Sequence, residues 1–310
     1  MNFDLSVIIP TFKRKGSLII LLQKLFAQEA VRIEIIVVDQ NPVGFFDEEQ
    51  LGTLAKVKYI YQSQPNASLA RNAGFLLSSA LFVLFLDDDL IPENDFCKKG
   101  LAILKEYNRV KCFSPNVFNH NGPQQSKKNI LSSAIKGNCI LNNIFLITDT
   151  MSAAIFWERN YFIKSGGFDP MLFQFAKTGE DQELFLRMKK RNMQLWFVSD
   201  IEIYHDEYVA GGCELRTEDY WVTRKKCIFS WALRYRIHNE QQGKLRVKDI
   251  FALSRSAFAN RLVLTSGINE IKQNFYLILD AIGESKNFYC KHANSYKLAK
   301  QNFFYMDVID

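Results

Sequence analysis

Four short and almost continuously apolar runs limit the folds that this chain can adopt, because patterns typical of helices separate them. The runs lie in the N-terminal third of the chain, at 5–10, 33–39, 56–61 and 80–86. A strand that is apolar at nearly every position is buried on both faces, and strands connected through helices pair in parallel. The sequence therefore predicts an α/β domain with a mostly parallel sheet flanked by helices.

Polar residues follow three of these runs, and their position suggests a ligand site. Thr11–Arg14 follows the first run, Asp39–Asn41 the second and Asp87–Asp89 the fourth. In a parallel sheet, ligands bind in the crevice outside the carboxyl ends of the strands. The three polar segments are therefore predicted to converge on one site.

The stretch FVLFLDDDLIP at 82–92 places three aspartates directly after an apolar run. In an extended segment, residues two apart point the same way, so Asp87 and Asp89 are predicted to face one site, with Asp88 turned aside or held in the turn. Neighbouring carboxylates repel one another, and a divalent cation relieves this repulsion while it also holds a phosphate. The alternative is a solvated acidic turn before Pro92.

Three further side chains have both a chemical and a structural interpretation. Arg71 lies near the start of a predicted helix that Ser68 is expected to cap, and it either meets a phosphate or base edge or lies on the surface. Asp181, at the start of a later predicted helix, is either the general base for a hydroxyl or a capping acid. His205, after a strand predicted at 194–199, is either a metal ligand or a structural histidine.

From about residue 217 onward the pattern is helical, and the segment 217–236 interleaves aromatic with basic residues. A helix of this composition can lie on an anionic membrane surface. The alternative is a helix packed on the rest of the protein, with its basic residues in solvent. The residues concerned are Tyr220, Trp221, Arg224, Lys225, Lys226, Phe229, Trp231, Arg234, Tyr235 and Arg236.

Charge and composition favour a cytoplasmic protein that does not bind nucleic acid. The formal net charge of +6 is too small to indicate a nucleic-acid partner. No apolar stretch approaches the roughly 20 residues of a membrane span, and the first residues lack the features of a signal peptide. The six cysteines show no paired or metal-binding spacing and are predicted to be free thiols. Peripheral contact with the inner face of the cell membrane through 217–236 is a further expectation.

Six stretches, taken together, resemble a family 2 glycosyltransferase of the GT-A fold. They are SVIIPTFKR (6–14), IIVVDQN (35–41), ASLARNAG (67–74), FLDDD (85–89), GGFD (166–169) and GEDQEL (179–184). The resemblance implies a Rossmann-like GT-A catalytic domain at 1–215, with a nucleotide-binding half at 1–115 and an acceptor half at 116–215. A C-terminal helical region follows at 216–310.

The resemblance also implies a nucleotide-sugar donor, a divalent metal ion (Mn²⁺ or Mg²⁺) and inversion at the anomeric carbon. Asp181 matches the usual catalytic base, whereas Asp89 and His205 match the metal contacts. Asp39 resembles the acid that recognises the base of the donor, and Arg71 resembles the arginine that helps to hold the nucleotide. The residues implied in binding the nucleotide sugar are Pro10, Thr11, Arg14, Asp39, Arg71, Asp87 and Asp88.

One position departs from the family pattern. Many members carry two acids after the second strand, whereas the second residue here is Gln40. The run VVDQN resembles a variant found in rhamnosyltransferase-like enzymes. The base and the sugar of the donor therefore stay open, with UDP- and dTDP-sugars as the expected classes.

The function implied by the resemblance is that of an inverting, metal-dependent glycosyltransferase. It would move a sugar to a hydroxyl of a glycan or lipid-linked acceptor, in bacterial surface polysaccharide synthesis. A nucleotidyltransferase is one alternative, but PTFKRKGS at 10–17 has a single glycine where that class usually carries a glycine-rich loop. A non-catalytic nucleotide- or glycan-binding module is the other alternative, and the intact acids Asp87, Asp89 and Asp181 count against it.

Overall fold

The computed structural model describes residues 3–119, 122–123, 139–141, 143–206, 219–238, 243–251, 268–299 and 302–304. The chain divides into two compact units. The first comprises Met1–Phe168 and Leu184–Gly212, and the second comprises Asp169–Glu183 and Cys213–Asp310. The second unit contains the helical region expected at 216–310, and it also takes in 169–183, which falls in the predicted acceptor half.

The strands of the first unit form one mixed sheet. They are β1 (Leu5–Thr11), β2 (Ile33–Asp39), β3 (Lys58–Tyr61), β4 (Phe82–Leu86), β5 (Leu90–Ile91), β6 (Cys112–Asn119), β7 (Gly122–Pro123), β8 (Cys139–Leu141), β9 (Ile144–Ile147), β10 (Ala154–Glu158) and β11 (Leu195–His205). Their order is β3-β2-β1-β4-β10-β6-β11-β9-β8, with β5 beside β11 and β7 beside β6. The first four strands pair in parallel, which confirms the predicted parallel core. The sheet becomes mixed where β10 pairs antiparallel with β4.

Helices flank this sheet, as the apolar runs predict. They are α1 (Lys15–Phe26), α2 (Glu48–Leu54), α3 (Ala67–Leu77), α4 (Phe96–Glu106) and α5 (Arg159–Ser165). All seven residues of β1 are buried. Val7 and Ile9 belong to the main hydrophobic core, whereas the intervening Ile8 contacts α3. The apolar run is therefore continuous because both faces of the strand are covered.

Gly74 allows α3 to approach the sheet closely. A Cβ atom at this position would lie 2.5 Å from Cγ2 of Ile8 and 3.2 Å from Cγ2 of Val38. Asn66 caps the helix, since its side-chain oxygen accepts a hydrogen bond of 3.0 Å from the amide of Leu69. The expectation that Ser68 is the cap was wrong, because the helix already begins at Ala67. This placement fixes the position of Arg71 on the helix.

The second unit is helical in the part of it that the structure describes. It contains α6 (Pro170–Ala176), the first turn of α7 (Glu180–Lys190), α8 (Tyr220–His238) and α9 (Ile268–Ala299). Helices α6, α8 and α9 share a hydrophobic core, to which they contribute Leu172, Leu233 and Ile278 respectively. The helical C-terminal extension of the predicted fold is thus confirmed. No helix in the described ranges combines the length and the apolar character needed to cross a membrane.

Several basic side chains of α8 are used inside the second unit. Arg236 is buried and donates hydrogen bonds to Ser285 Oγ and to the carbonyl oxygens of Gly243 and Ile282. Arg224 donates to the side chain of Asn274 over 2.7 Å, and Lys225 forms ion pairs with Asp280 and Glu284. The membrane contact predicted for 217–236 requires basic residues that face away from the protein. The hydrogen bonds and ion pairs of Arg224, Lys225 and Arg236 within the unit therefore give that prediction no support.

Candidate functional site

The three aspartates lie in a turn between β4 and β5, not in an extended segment. β4 ends at Leu86 and β5 begins at Leu90. The alternation of side chains along a strand therefore does not apply to them. Of the two predicted arrangements of Asp88, the structure has the one in which it is held in the turn. Its buried carboxylate accepts hydrogen bonds from the Thr11 hydroxyl (2.7 Å) and from Arg14 Nη1 (3.1 Å).

Asp89 lies between two basic side chains from distant parts of the sequence. Arg14 Nη1 is 2.7 Å from Asp89 Oδ2, and His205 Nε2 is 3.1 Å from Asp89 Oδ1. Strand β11 runs on to His205, well beyond the end predicted at residue 199, and it pairs His205 with Leu90. Both Asp89 oxygens are buried, and among the described residues neither makes a well-aligned hydrogen bond.

Asp87 points to a different partner. Its Oδ1 accepts a hydrogen bond of 2.8 Å from Arg71 Nη2. Arg71 is itself buried, and its guanidinium lies 5.2 Å from the centre of the Phe168 ring. The structural alternative of a surface arginine is therefore excluded. Asp87 keeps 30% of its side chain exposed, so it is the member of the triplet most open to a ligand.

The three carboxyl groups differ in their affinity for protons. Burial raises the pKa of Asp88 to about 7, although the charge of Arg14 opposes this shift. Burial also raises the pKa of Asp87, and Arg71 opposes it there. At Asp89 burial acts in the same direction, but the interaction with His205 and the charge of Arg14 outweigh it, so the pKa lies below its usual value. Asp89 is therefore the member of the triplet that is most firmly ionised.

Lys13 and Asn41 shape the loop after β1, and no sequence pattern predicted their contact. Lys13 adopts a left-handed conformation with φ of 60°, and its amide donates to Asn41 Oδ1 over 2.5 Å. The pairing of β1 with β4 ends at Ile8, and Pro10 lies two residues further on. Because no β4 residue pairs with Pro10, its missing amide hydrogen is tolerated there. The loop and Asn41 thereby hold Thr11 and Arg14 beside the acidic turn.

Asp39 is buried and engaged with its own chain. Its Oδ1 accepts hydrogen bonds from the Asn41 amide (2.9 Å) and from Asn41 Nδ2 (2.6 Å), while Tyr59 donates its hydroxyl to Oδ2. Gln40, where the sequence departs from the family pattern, accepts from the amide of Asn66 over 2.6 Å. Gln40 therefore ties β2 to the start of α3. The role of Asp39 in recognising a base stays a prediction.

Asp181 belongs to the second unit, whereas the other predicted site residues belong to the first. It is half-buried in the first turn of α7. The GGFD turn lies between the two units along the chain, and Asp169 caps α6 by accepting from the amides of Met171 and Leu172. The acid of GGFD thus has a capping role.

The fold is that of an α/β protein, and the charged turn forms a candidate site at the carboxyl ends of its parallel strands. The family model described as Glycosyl transferase family 2 matches residues 6–162, which is half of the chain. The chain therefore belongs to glycosyl transferase family 2. This match includes the Asp87–Asp89 turn and ends before Asp181 and His205.

Individual proteins resemble the chain over different lengths. An uncharacterized glycosyltransferase of Haemophilus influenzae is 30% identical over 117 residues, which cover 35% of this chain and 39% of that protein. The chain thus matches well under half the length of this curated relative. Among solved structures, S. aureus TarS 1–349 gives a TM-score of 0.58 at 17% identity over 97% of this chain and 88% of that chain. The same fragment in complex with UDP-GlcNAc gives a TM-score of 0.56 at 14% identity, with the same coverage. At such low identities these structures indicate a shared fold.

Proposed function

We propose that this glycosyltransferase transfers a sugar from a nucleotide-sugar donor to a hydroxyl of a glycan or lipid-linked acceptor, with inversion. The observation that carries the proposal is the Asp87–Asp89 turn with Arg14, Arg71 and His205 around it. A site that combines buried arginines with carboxylates suits a charged diphosphate. The complex of TarS 1–349 with UDP-GlcNAc supports a nucleotide sugar as the donor class.

The donor is proposed to be a UDP- or dTDP-sugar bound at the carboxyl ends of β1, β2 and β4. Arg71 and Arg14 supply positive charge near the diphosphate, while Thr11 and Asp88 hold Arg14 in place through the hydrogen bonds described above. Asp39 at the end of β2 would face the base. The remaining proposed donor-binding residues are Pro10 and Asp87.

A divalent ion, Mn²⁺ or Mg²⁺, is proposed at Asp89 and His205. The side chains fit such an ion, because Asp89 is a buried, ionised carboxylate with an imidazole nitrogen next to it, and its oxygens make no well-aligned hydrogen bond to any described residue. No set of three or more His, Cys, Asp or Glu residues surrounds a cation position within the described ranges. The donor diphosphate and water would then complete the ligand set. When bound, the ion neutralises charge on the leaving diphosphate.

Asp181 is the proposed general base. The acceptor oxygen attacks the anomeric carbon from the face opposite to the nucleotide, and the bond between that carbon and the diphosphate oxygen breaks. The acceptor hydroxyl gives its proton to the carboxylate of Asp181. A positioned base of this kind contributes roughly 10²–10⁴-fold to the rate. The position of Asp181 within GEDQEL supports this role.

Bacterial surface polysaccharide synthesis is the proposed setting, and it rests on the family resemblance. Membership of glycosyl transferase family 2 favours sugar transfer over the nucleotidyltransferase and binding-module alternatives. A cytoplasmic location stays a prediction.

A thermal-shift panel tests the donor class. The protein is heated with UDP-GlcNAc, UDP, dTDP or GDP, each with and without Mn²⁺. We expect UDP- or dTDP-compounds to raise the melting temperature, because a ligand that binds only the folded state stabilises it, and a tighter ligand does so more. The Arg71→Met variant should lose most of this shift. The Arg32→Met variant is the control, since Arg32 forms an exposed pair with Asp4. If all four compounds raised the melting temperature equally, or if none of them raised it, the proposed donor class of UDP- or dTDP-sugars would be refuted.

A further inference from the structure

One stripe of α8 runs along the start of α7. Ser230, Arg234 and His238 are spaced by four residues, so they share one face of the helix. At one end of the stripe, a Cβ atom on Gly179 would lie 2.0 Å from Ser230 Oγ, and Gly179 has φ of 92°. Glycine is therefore required there both by the space and by the backbone conformation. The absence of a side chain at Gly179 allows the loop that leads into α7 to lie close to α8.

The other end of the stripe makes a direct polar contact. His238 Nε2 lies 2.7 Å from Glu183 Oε1, and both side chains are buried. This hydrogen bond pins the first turn of α7 to α8. Asp181 lies in the same turn, two residues before Glu183. The stripe therefore fixes the position of the proposed base.

Arg234, in the middle of the stripe, is buried without such a contact. Its exposed fraction is 8%, and its Nε has no hydrogen-bond partner among the described residues. The contact that its guanidinium does make is with the ring of Trp231, whose centre is 5.6 Å away. Burial lowers the pKa of Arg234 to about 10, although the negative charges of Glu183 and Asp181 act against this shift. The arginine therefore stays charged at neutral pH, and its Nε is a hydrogen-bond donor that no described residue uses.

A buried guanidinium such as that of Arg234, which makes no hydrogen bond within the described ranges, is unfavourable for folding because desolvation of the charge is not compensated. Arg236, two residues further along α8, shows the compensated case, since it donates to Ser285, Gly243 and Ile282. The difference indicates that Arg234 is kept for a ligand. A neutral ligand suits it better than an anion, because Asp181 and Glu183 already contribute negative charge to its surroundings.

We propose that Arg234 is an acceptor-binding residue that donates hydrogen bonds to a hydroxyl of a neutral sugar, next to the hydroxyl whose proton Asp181 accepts. This inference rests on the proposed function of Asp181. The planar guanidinium suits two neighbouring oxygens of a sugar ring, and its stacking on Trp231 holds it in one orientation. The second unit would thereby recognise the acceptor through α8.

The test is a titration by saturation-transfer NMR. The probes are methyl α-glucoside, methyl β-galactoside and methyl N-acetyl-β-glucosaminide, with methyl glucuronide and glucose 6-phosphate as anionic counterparts. We expect the protein to bind at least one neutral glycoside, and Arg234→Met to weaken that binding at least tenfold. Arg234→Lys should bind with intermediate affinity, because it keeps the charge and loses the planar fork. Lys225→Met, which removes a positive charge elsewhere on α8, should leave the affinity unchanged.

The titration with UDP separates this inference from the proposed function. Unchanged UDP binding by Arg234→Met together with lost glycoside binding supports the inference. Equal glycoside binding by Arg234→Met and by the parent protein would overturn it, and so would binding of the anionic probes alone or of no glycoside at all. Failure of the parent protein to bind UDP or dTDP would instead count against the proposed function. Circular dichroism of each variant confirms that the fold is retained.

Discussion

The two units of this protein treat their buried charges differently. In the first unit, each carboxylate of the Asp87–Asp89 turn lies within contact distance of a basic side chain. In the second unit, Glu183 has His238 as a partner, whereas Arg234 has no contact with an acid in the described part of the chain, only the ring of Trp231. The paired charges stabilise the fold, whereas the charge of Arg234 is the one that we propose for ligand binding. Substitutions in the two units can test that distinction.

The largest effect on stability is expected for Arg14→Met in the first unit. This change leaves Asp88 and Asp89 buried without their shared cation, and breaking a buried pair in this way lowers the free energy of unfolding by about 3–5 kcal/mol. Urea denaturation measures the loss. Arg32→Met removes an exposed pair with Asp4 and should lower the stability by no more than about 1 kcal/mol. Similar losses for the two variants would show that the turn does not depend on Arg14.

A second comparison contrasts two arginines of α8. Arg236→Met leaves the buried Ser285 hydroxyl and the partly buried carbonyl oxygens of Gly243 and Ile282 without their donor, and we expect a loss of about 1–3 kcal/mol. Arg234→Met replaces a buried charge that has no hydrogen-bonding partner in the part of the chain that the structure describes, so its effect should be neutral or stabilising. Urea denaturation of both variants gives the two values. If Arg234→Met were the more destabilising change, the charge would have a structural role instead.

A third comparison contrasts glycines in the two units. Gly74→Ala introduces a Cβ atom 2.5 Å from Ile8, and we expect this overpacking to lower the stability by about 1–3 kcal/mol. The change should also weaken UDP binding, because α3 carries Arg71. Gly283→Ala in α9 meets open space, and a helical alanine should raise the stability by about 0.5–1 kcal/mol. Thermal unfolding distinguishes these opposite signs, and a shift in the same direction for both would show that close approach does not matter at Gly74.

The parallel core and the position of the three aspartates after β4 could be predicted because both depend on local sequence. A continuous apolar run such as that of β1 specifies burial on both faces, and the residues that follow it must lie at the edge of the sheet. The pairing of Arg14 with Asp88 and Asp89 could not be predicted in this way. It joins residues more than seventy positions apart, and it depends on a turn conformation that the alternation rule does not describe.

The course of β11 shows a second limit of the sequence pattern. Its predicted end at residue 199 follows from the polar residues Ser199 and Asp200, yet the strand continues through a register shift between Val198 and Glu202. That continuation brings His205 beside Asp89. The pairing of Glu183 with His238 could not be predicted either, because no local sequence pattern links the start of α7 to the end of α8.

We propose that the Asp87–Asp89 turn binds the nucleotide sugar with its metal, whereas Asp181 acts only on the acceptor. The direct test is a calorimetric titration of UDP or dTDP, with and without Mn²⁺, into the parent protein, Asp89→Ala and Asp181→Asn. We predict that Mn²⁺ strengthens nucleotide binding to the parent protein and to Asp181→Asn at least tenfold, and that Asp89→Ala loses this gain. Asp181→Asn should still lose sugar transfer by orders of magnitude. An unchanged metal-dependent affinity in Asp89→Ala would contradict the account.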